Sequence, residues 1–357
     1  MKNVTSLIKN LIQILTISLL LFLAIDFFVT WSFGARGFSK FLYINPVEGR
    51  MNNPSFTGRF GSILEEFSGQ VSIRNFGERA SAESQCNEVN TQILFVGDST
   101  TAGFEVDDED TFVSLFNANC SELATIGINL GVRGHDTHAV IGTYLRTSST
   151  FDHDAVIYLM TENDFTENVD PNAYHLMSER FGRRYEGIVI KPNQDFIFSL
   201  YADLRVFVGD RLSLTTFLLR HFQLIRNTYF STASNKVINL ENYTENVHKS
   251  YELIRKLSTL VMASNAKLYI IPYPKLANDD RDIDQKIKLL SDMIDEGLKE
   301  VLYLEEIDDL VKAVLDRDGR KLFEMRYTND AHLSEYGHSV IATILTDVLR
   351  DHILVNK

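Results

Sequence analysis

The chain has 357 residues, enough for one large α/β domain with additions or for two modest ones. Its 45% hydrophobic and 11% aromatic content, with only six prolines, is that of a globular protein and excludes long disorder. The formal net charge of −13, offset by no basic stripe, excludes a general nucleic-acid binder.

After "MKNVTSLIKN" comes an apolar run, "LIQILTISLLLFLAIDFFVTW" over residues 11–31, in which Asp26 is the one charge. As a helix it rises about 1.5 Å per residue and spans a hydrocarbon core of roughly 30 Å. The run is longer than the apolar core of a cleaved signal peptide, and Ser32-Phe33-Gly34 makes a poor cleavage site, so an uncleaved anchor is favoured over a cleaved signal. Lys2 and Lys9 precede the run, while Arg36 and Lys40 follow it. The slight positive-inside bias places residues 1–10 in the cytoplasm and the body outside it, in the periplasm or on the cell surface.

Residues 32–90 are polar and turn-rich ("INPVEG", "NNPSFTG", "RNFGERASAESQCN") and read as an irregular linker and lead-in. Strand candidates then alternate with amphipathic helical patterns. The strands are "QILFVG", "ATIGINLG", "DAVIYLM" and "AKLYIIPYP"; the helices include "DTFVSLFNANC", "HAVIGTYLRT" and "VHKSYELIRKLSTLVMASN". This alternation predicts a domain over residues 91–357 with a parallel sheet covered on both faces by helices. The gap between the third and fourth strands holds a helical insertion, about 172–248, that either packs on the core or covers the site as a lid. Asp203, Arg205, Asp210 and Arg211 rule it out as an ordinary second membrane span. Cys86 and Cys120 fall near the bottom of adjacent strands, where an oxidising compartment permits a disulfide; two unpaired thiols are the other reading.

In such a sheet, ligands bind beyond the carboxyl ends of the strands. Three unusual strand ends lie there: Gly97-Asp98-Ser99, "NLGVRGHDT" with Gly134 and "YLMTENDF" with Asn163; near the C-terminus, "YTNDAHLSEYGH" places Asp330 and His332 in a loop before a helix. Each alone has a plain reading. Ser or Asp caps a helix, Gly134 satisfies a positive φ, Asn163 makes a turn and His332 packs or caps. Together and in this order they supply a nucleophile, oxyanion donors and a base with its carboxylate.

These blocks resemble the SGNH (GDSL-like) hydrolase superfamily. "FVGDST", "NLGVRG", "TENDF" and "DAHLSEYGH" are similar to its first, second, third and fifth blocks, and the likeness covers most of residues 92–349 outside the insertion. Within it, "RNFGERA", "GFEVDDEDTF" and "FDHDAVIYLMTENDF" look most like the membrane-anchored bacterial branch associated with acylation of cell-surface polysaccharide. The resemblance implies a three-layer α/β/α, flavodoxin-like fold. It implies that Ser99 attacks an acyl carbonyl, that His332 takes its proton and that Asp330 orients the imidazole. It also implies that the N–H groups of Ser99 and Gly134 and the amide of Asn163 form the oxyanion hole. The common pattern puts the aspartate three residues before the histidine, where this chain has Asn329; Asp330 is the expected carboxylate and Asn329 the alternative.

The function so implied is that of an ester hydrolase or O-acetyltransferase working through an acyl-serine. Its substrate would be an acylated, O-acetylated carbohydrate or a small ester, with no cofactor and no metal. The competing reading is a non-catalytic glycan-binding surface protein with a degenerate fold of this type. No GxSxG elbow, GxGxxG or P-loop motif occurs, which disfavours an ordinary α/β-hydrolase and nucleotide binding. His135, Asp136 and His138 are candidate metal ligands, but turn and helix-start roles are favoured. "DRDGR" (residues 316–320) reads as a turn, and the acidic run "EVDDEDTF" as a solvated loop before a capped helix.

Overall fold

A computed structural model describes residues 2–33, 42–45, 49–61, 66–81, 89–119, 124–161, 164, 240–274, 281–304, 306–328, 330 and 332–350. Cys86, Cys120, Asn163, Asn329 and nearly all of the expected insertion lie outside the described residues.

The first helix, α1 (Lys2–Phe33), includes the expected apolar run and the residues before it. Its segment Lys9–Phe28 has a mean hydropathy of 2.4 and is 0% buried against the rest of the protein, so by length and composition it can cross a membrane.

The central sheet has five parallel strands: β5 (Thr91–Gly97), β6 (Thr125–Asn129), β7 (Ala155–Met160), β8 (Lys267–Pro272) and β9 (Val301–Tyr303). Their spatial order is β6-β5-β7-β8-β9. Renumbered within the sheet this is 2-1-3-4-5, the flavodoxin-like order, whose switch point lies between the first and third strands. All six residues of β7 are buried, as expected of a parallel strand covered on both faces.

The period of two along these strands divides the core. Ile93, Phe95, Ile157, Leu159, Tyr269 and Ile271 face one layer of helices: α3 (Phe112–Ala118), α7 (Ile307–Asp318) and α8 (Glu335–Leu349). Leu94, Val96, Val156, Tyr158, Leu268 and Ile270 face the other: α4 (Thr137–Thr147), α5 (Leu240–Ala263) and α6 (Arg281–Gly297). On α5 the buried Val247, Ile254, Leu257 and Val261 recur at helical spacing and form its apolar stripe. Each such side chain contributes about 1.5–3 kcal/mol when fully buried. The three layers are those expected from the alternation of strands and helices.

The lead-in departs from the irregular linker expected. It forms two antiparallel hairpins, β1 (Leu42–Asn45) with β2 (Gly49–Asn52) and β3 (Thr57–Gly61) with β4 (Ser68–Ser72). Leu42, Phe60, Phe67, Val71 and Ile73 build a third core with Ala102, Phe104 and Val132, which lie beyond the strands β5 and β6. Strands of four or five residues broken by Gly, Asn and Ser carry too little alternation to stand out. Their apolar partners are also distant in the chain.

Candidate active site

At the end of β5 the chain turns through Gly97 and Asp98 into a four-residue helix, α2 (Ser99–Ala102). Ser99 is its first residue and is partly exposed. Asp98 caps the helix by accepting from the N–H of Thr100 at 2.8 Å, and its other oxygen accepts from the Thr161 hydroxyl at 2.8 Å. Thr161 follows β7, and its N–H donates to Asp164 at 2.7 Å. The serine turn is thereby fastened to the end of the neighbouring strand. Burial, and then the charge of Asp98, push the Asp164 carboxyl well above the usual carboxylate range.

His332 reaches the same point from the loop between a 3-10 turn (Leu322–Met325) and α8. The loop is pinned by an antiparallel bridge of Arg326 to Leu333 and by the Ser334 N–H donating to Met325 O at 2.9 Å. The Ser99 hydroxyl lies 2.8 Å from His332 Nε2, and His332 Nδ1 bonds the Asp330 carboxylate. That carboxylate also accepts from the backbone N–H of His332 at 3.0 Å. With Nδ1–H donating to Asp330, Nε2 is left to accept the serine proton. Ser99, His332 and Asp330 are thus brought together, and Asp330 is the carboxylate on the imidazole.

Burial alone would lower the imidazole's pKa, but the charges of Glu105 and Asp330 and the Asp330 bond outweigh it, and His332 is raised to about 9. For Asp330, burial works upward, yet its bond to His332 and the imidazole's charge hold it below the usual range.

The loop after β6 lies against the serine turn. The Asn129 amide donates to Thr101 O at 2.9 Å, the Gly131 N–H to Asn129 Oδ1 at 3.0 Å and the Val132 N–H to Gly97 O at 3.1 Å. A Cβ on Gly131 would collide with the backbone N of Ala102, so only glycine allows this approach. Gly134 has φ +71° in the turn that follows, with the Arg50 guanidinium where a Cβ would stand. His135 and Asp136 are engaged with the backbone. His135 Nε2 bonds Arg50 O, and burial lowers its pKa to about 4, leaving it neutral. Asp136 caps α4 by accepting from the Ala139 N–H at 2.8 Å.

Two functional residues escaped the sequence reading. The acidic run is not simply solvated: Glu105 is 2% exposed, with its Oε1 3.4 Å from His332 Nδ1. Burial raises its pKa. Asp107 accepts from the Gln70 N–H at 2.5 Å, and Asp108 pairs with Arg79 at 3.0 Å. Only the setting of Glu105 between Phe104 and Val106, both buried, was a visible hint.

Arg79, in "GERA", is 1% exposed. It donates to the carbonyls of Ala102 (2.8 Å), Gly103, Val106 (2.7 Å) and Gln70 (3.1 Å). It clamps the end of α2 and the loop bearing Glu105 onto the lead-in hairpins. Beside that loop opens a cavity of about 660 Å³ lined in part by Glu66, Glu105, Tyr327, Glu335 and Tyr336.

The class defined here is a flavodoxin-like three-layer fold with a hydrogen-bonded serine, histidine and aspartate at the carboxyl ends of its strands. No family model matches the chain, and no curated protein matches it. Among solved structures it is similar to TesA (TM-score 0.42, 9% identity, 73% of this chain and 98% of that one). It is also similar to the psychrotrophic esterase EstA from Pseudoalteromonas sp. (0.42, 11%, 75% and 100%). A third is a single-residue variant of Axe2, an acetyl xylan esterase from Geobacillus stearothermophilus (0.41, 13%, 73% and 95%).

Proposed function

We propose that the protein is an SGNH-type serine esterase or O-acyltransferase that acts on acylated carbohydrate through an acyl-serine intermediate. The observation that carries this reading is the 2.8 Å contact of the Ser99 hydroxyl with His332 Nε2, with Nδ1 of the same ring on Asp330. Ser99 Oγ attacks the ester carbonyl as its proton passes to Nε2, and Asp330 stabilises the imidazolium that forms. The N–H groups of Ser99 and Gly134 and the amide of Asn163 receive the oxyanion, each donor contributing about 3 kcal/mol at the transition state. Collapse expels the sugar alkoxide, which takes the proton from Nε2 and leaves the acyl group on Ser99. Water or a second sugar hydroxyl then gives its proton to Nε2, attacks the acyl-serine and frees Oγ, which recovers that proton. The apolar segment of α1 supports attachment to a membrane, with the catalytic domain outside the cytoplasm.

The test uses the full chain in detergent with O-acetylated oligosaccharide. Wild type is expected to release acetate and Ser99→Ala to release none above the uncatalysed rate. An added glycoside acceptor that becomes acetylated identifies a transferase, and its absence from the products a hydrolase. Equal acetate release by the two proteins would overturn the reading.

A further inference from the structure

Glu105 stands in an unusual place for a carboxylate. It follows Gly103 and Phe104 after α2, between two apolar side chains that are 0% and 1% exposed. Neither side-chain oxygen accepts a hydrogen bond from another described residue, and both are shielded from solvent. The contact its carboxylate does make is with His332 Nδ1, at 3.4 Å. Its backbone is held on all sides. The Tyr327 hydroxyl donates to Glu105 O at 3.5 Å, and Arg79 fixes the carbonyls of Gly103 and Val106. A buried carboxylate that no other described residue hydrogen-bonds is costly to keep ionised, and burying one beside an ionisable base is a recurrent way of tuning catalytic groups.

We propose that Glu105 is a second positioning carboxylate for His332. It and Asp330 flank the Nδ1 side of the ring, so the base of the serine is stabilised in its charged form by two carboxylates. This rests on the Ser99–His332 reading. No proton passes to Glu105 in the step: the Ser99 proton moves to Nε2, Nδ1 keeps its own, and the imidazolium's charge is shared between Asp330 and Glu105 until Nε2 protonates the leaving oxygen.

The other groups acting on the ring are Arg133 after β6 and His338 in α8, while Tyr273 after β8 and Tyr327 at the start of the histidine's loop act on its two carboxylates. Burial keeps His338 neutral, lowering it to about 3, and raises both tyrosines, so none of these three changes charge between about pH 6 and 10. Asp330 is held below the usual carboxylate range and stays ionised there. The titration in that range is therefore that of His332, raised to about 9, coupled to the Glu105 carboxylate beside it.

The experiment measures kcat/KM for 4-nitrophenyl acetate, and the rate of labelling by a fluorophosphonate, against pH on the full chain in detergent. Because His332 must be neutral to accept the serine proton, wild-type activity is expected to rise through about pH 9. Glu105→Gln should move that rise down by about one to three pH units and lower the plateau roughly tenfold. Glu105→Asp, which keeps the charge, should restore much of both. An unshifted profile in Glu105→Gln, or equal losses in the two variants, overturns the proposal.

Should Glu105→Gln fail to fold by circular dichroism, Asp330→Asn decides. With Glu105 intact its profile should still rise above the ordinary histidine value of about 6.5, and a rise at or below that value overturns the proposal. Ser99→Ala run alongside separates the two levels. If it cleaves and labels like wild type, the serine mechanism itself is wrong, whereas an inactive Ser99→Ala with an unshifted Glu105→Gln refutes Glu105 alone.

Discussion

Replacing Arg79 by methionine keeps much of the side chain's volume while removing its five hydrogen bonds. The guanidinium is 0% exposed and its ion-pair partner Asp108 is 15% exposed. Breaking a buried pair by removing one partner costs about 3–5 kcal/mol, and each buried carbonyl left without a donor about 1–3 kcal/mol. These terms are not additive, since the carbonyls have second lone pairs and Gly103 O also accepts from the Val106 N–H at 3.4 Å. A combined loss of about 4–6 kcal/mol follows, which is a large part of a domain's stability. At about 2–4 °C per kcal/mol the melting temperature should fall by roughly 10–20 °C. Arg79→Lys keeps the charge but not the fork of donors, and should lose about half as much. The assay is thermal unfolding of the full chain in detergent by far-ultraviolet circular dichroism, because the single tryptophan, Trp31, lies in α1 and does not report on the domain. Arg79→Met should also lose esterase activity below its melting point, as the loop bearing Glu105 loosens. Melting within about 2 °C of wild type, with unchanged activity, would refute the clamp on this scale.

Gly131→Ala places a methyl against the backbone N of Ala102, where no side chain can move aside. It should lower activity by about a hundredfold or more through displacement of the serine turn, as read by kcat/KM. Gly134→Ala meets only the end of the Arg50 side chain, and its φ of +71° makes about 1–2 kcal/mol of backbone strain the main cost, readable by thermal unfolding. The pairing around His332 also makes stability depend on pH. Its folded pKa of about 9 lies above its unfolded value, so its contribution is complete below about 6.5 and lost as pH rises through about 9. The melting difference between wild type and His332→Gln should therefore be larger at about pH 6 than at about pH 10; a difference that grows toward alkaline pH contradicts the ion pairing.

The parallel sheet was legible because its central strands are continuous apolar runs bounded by turn residues, as in "DAVIYLM". The three-residue β9 was not, being shorter than any periodic signal, and α6 and α7 were not separated as elements. Ser99 and His332 stood out because each sits in a block of characteristic composition, and Asp330, two residues before the histidine, bonds its Nδ1. The lead-in hairpins, Arg79 and Glu105 were invisible for one shared reason. Phe60, Phe67 and Val71 bury Phe104 across more than thirty positions of chain, and only that tertiary contact converts a charged loop into a buried carboxylate and its clamp.

The measurement that bears most directly on the central claim is intact-mass analysis of the full chain, wild type beside Ser99→Ala, after reaction with a fluorophosphonate probe. A nucleophilic Ser99 paired with His332 predicts one adduct per wild-type chain, mapped to Ser99, and none on Ser99→Ala. Equal labelling of the two proteins, or an unlabelled wild type that also cleaves no ester, would contradict it.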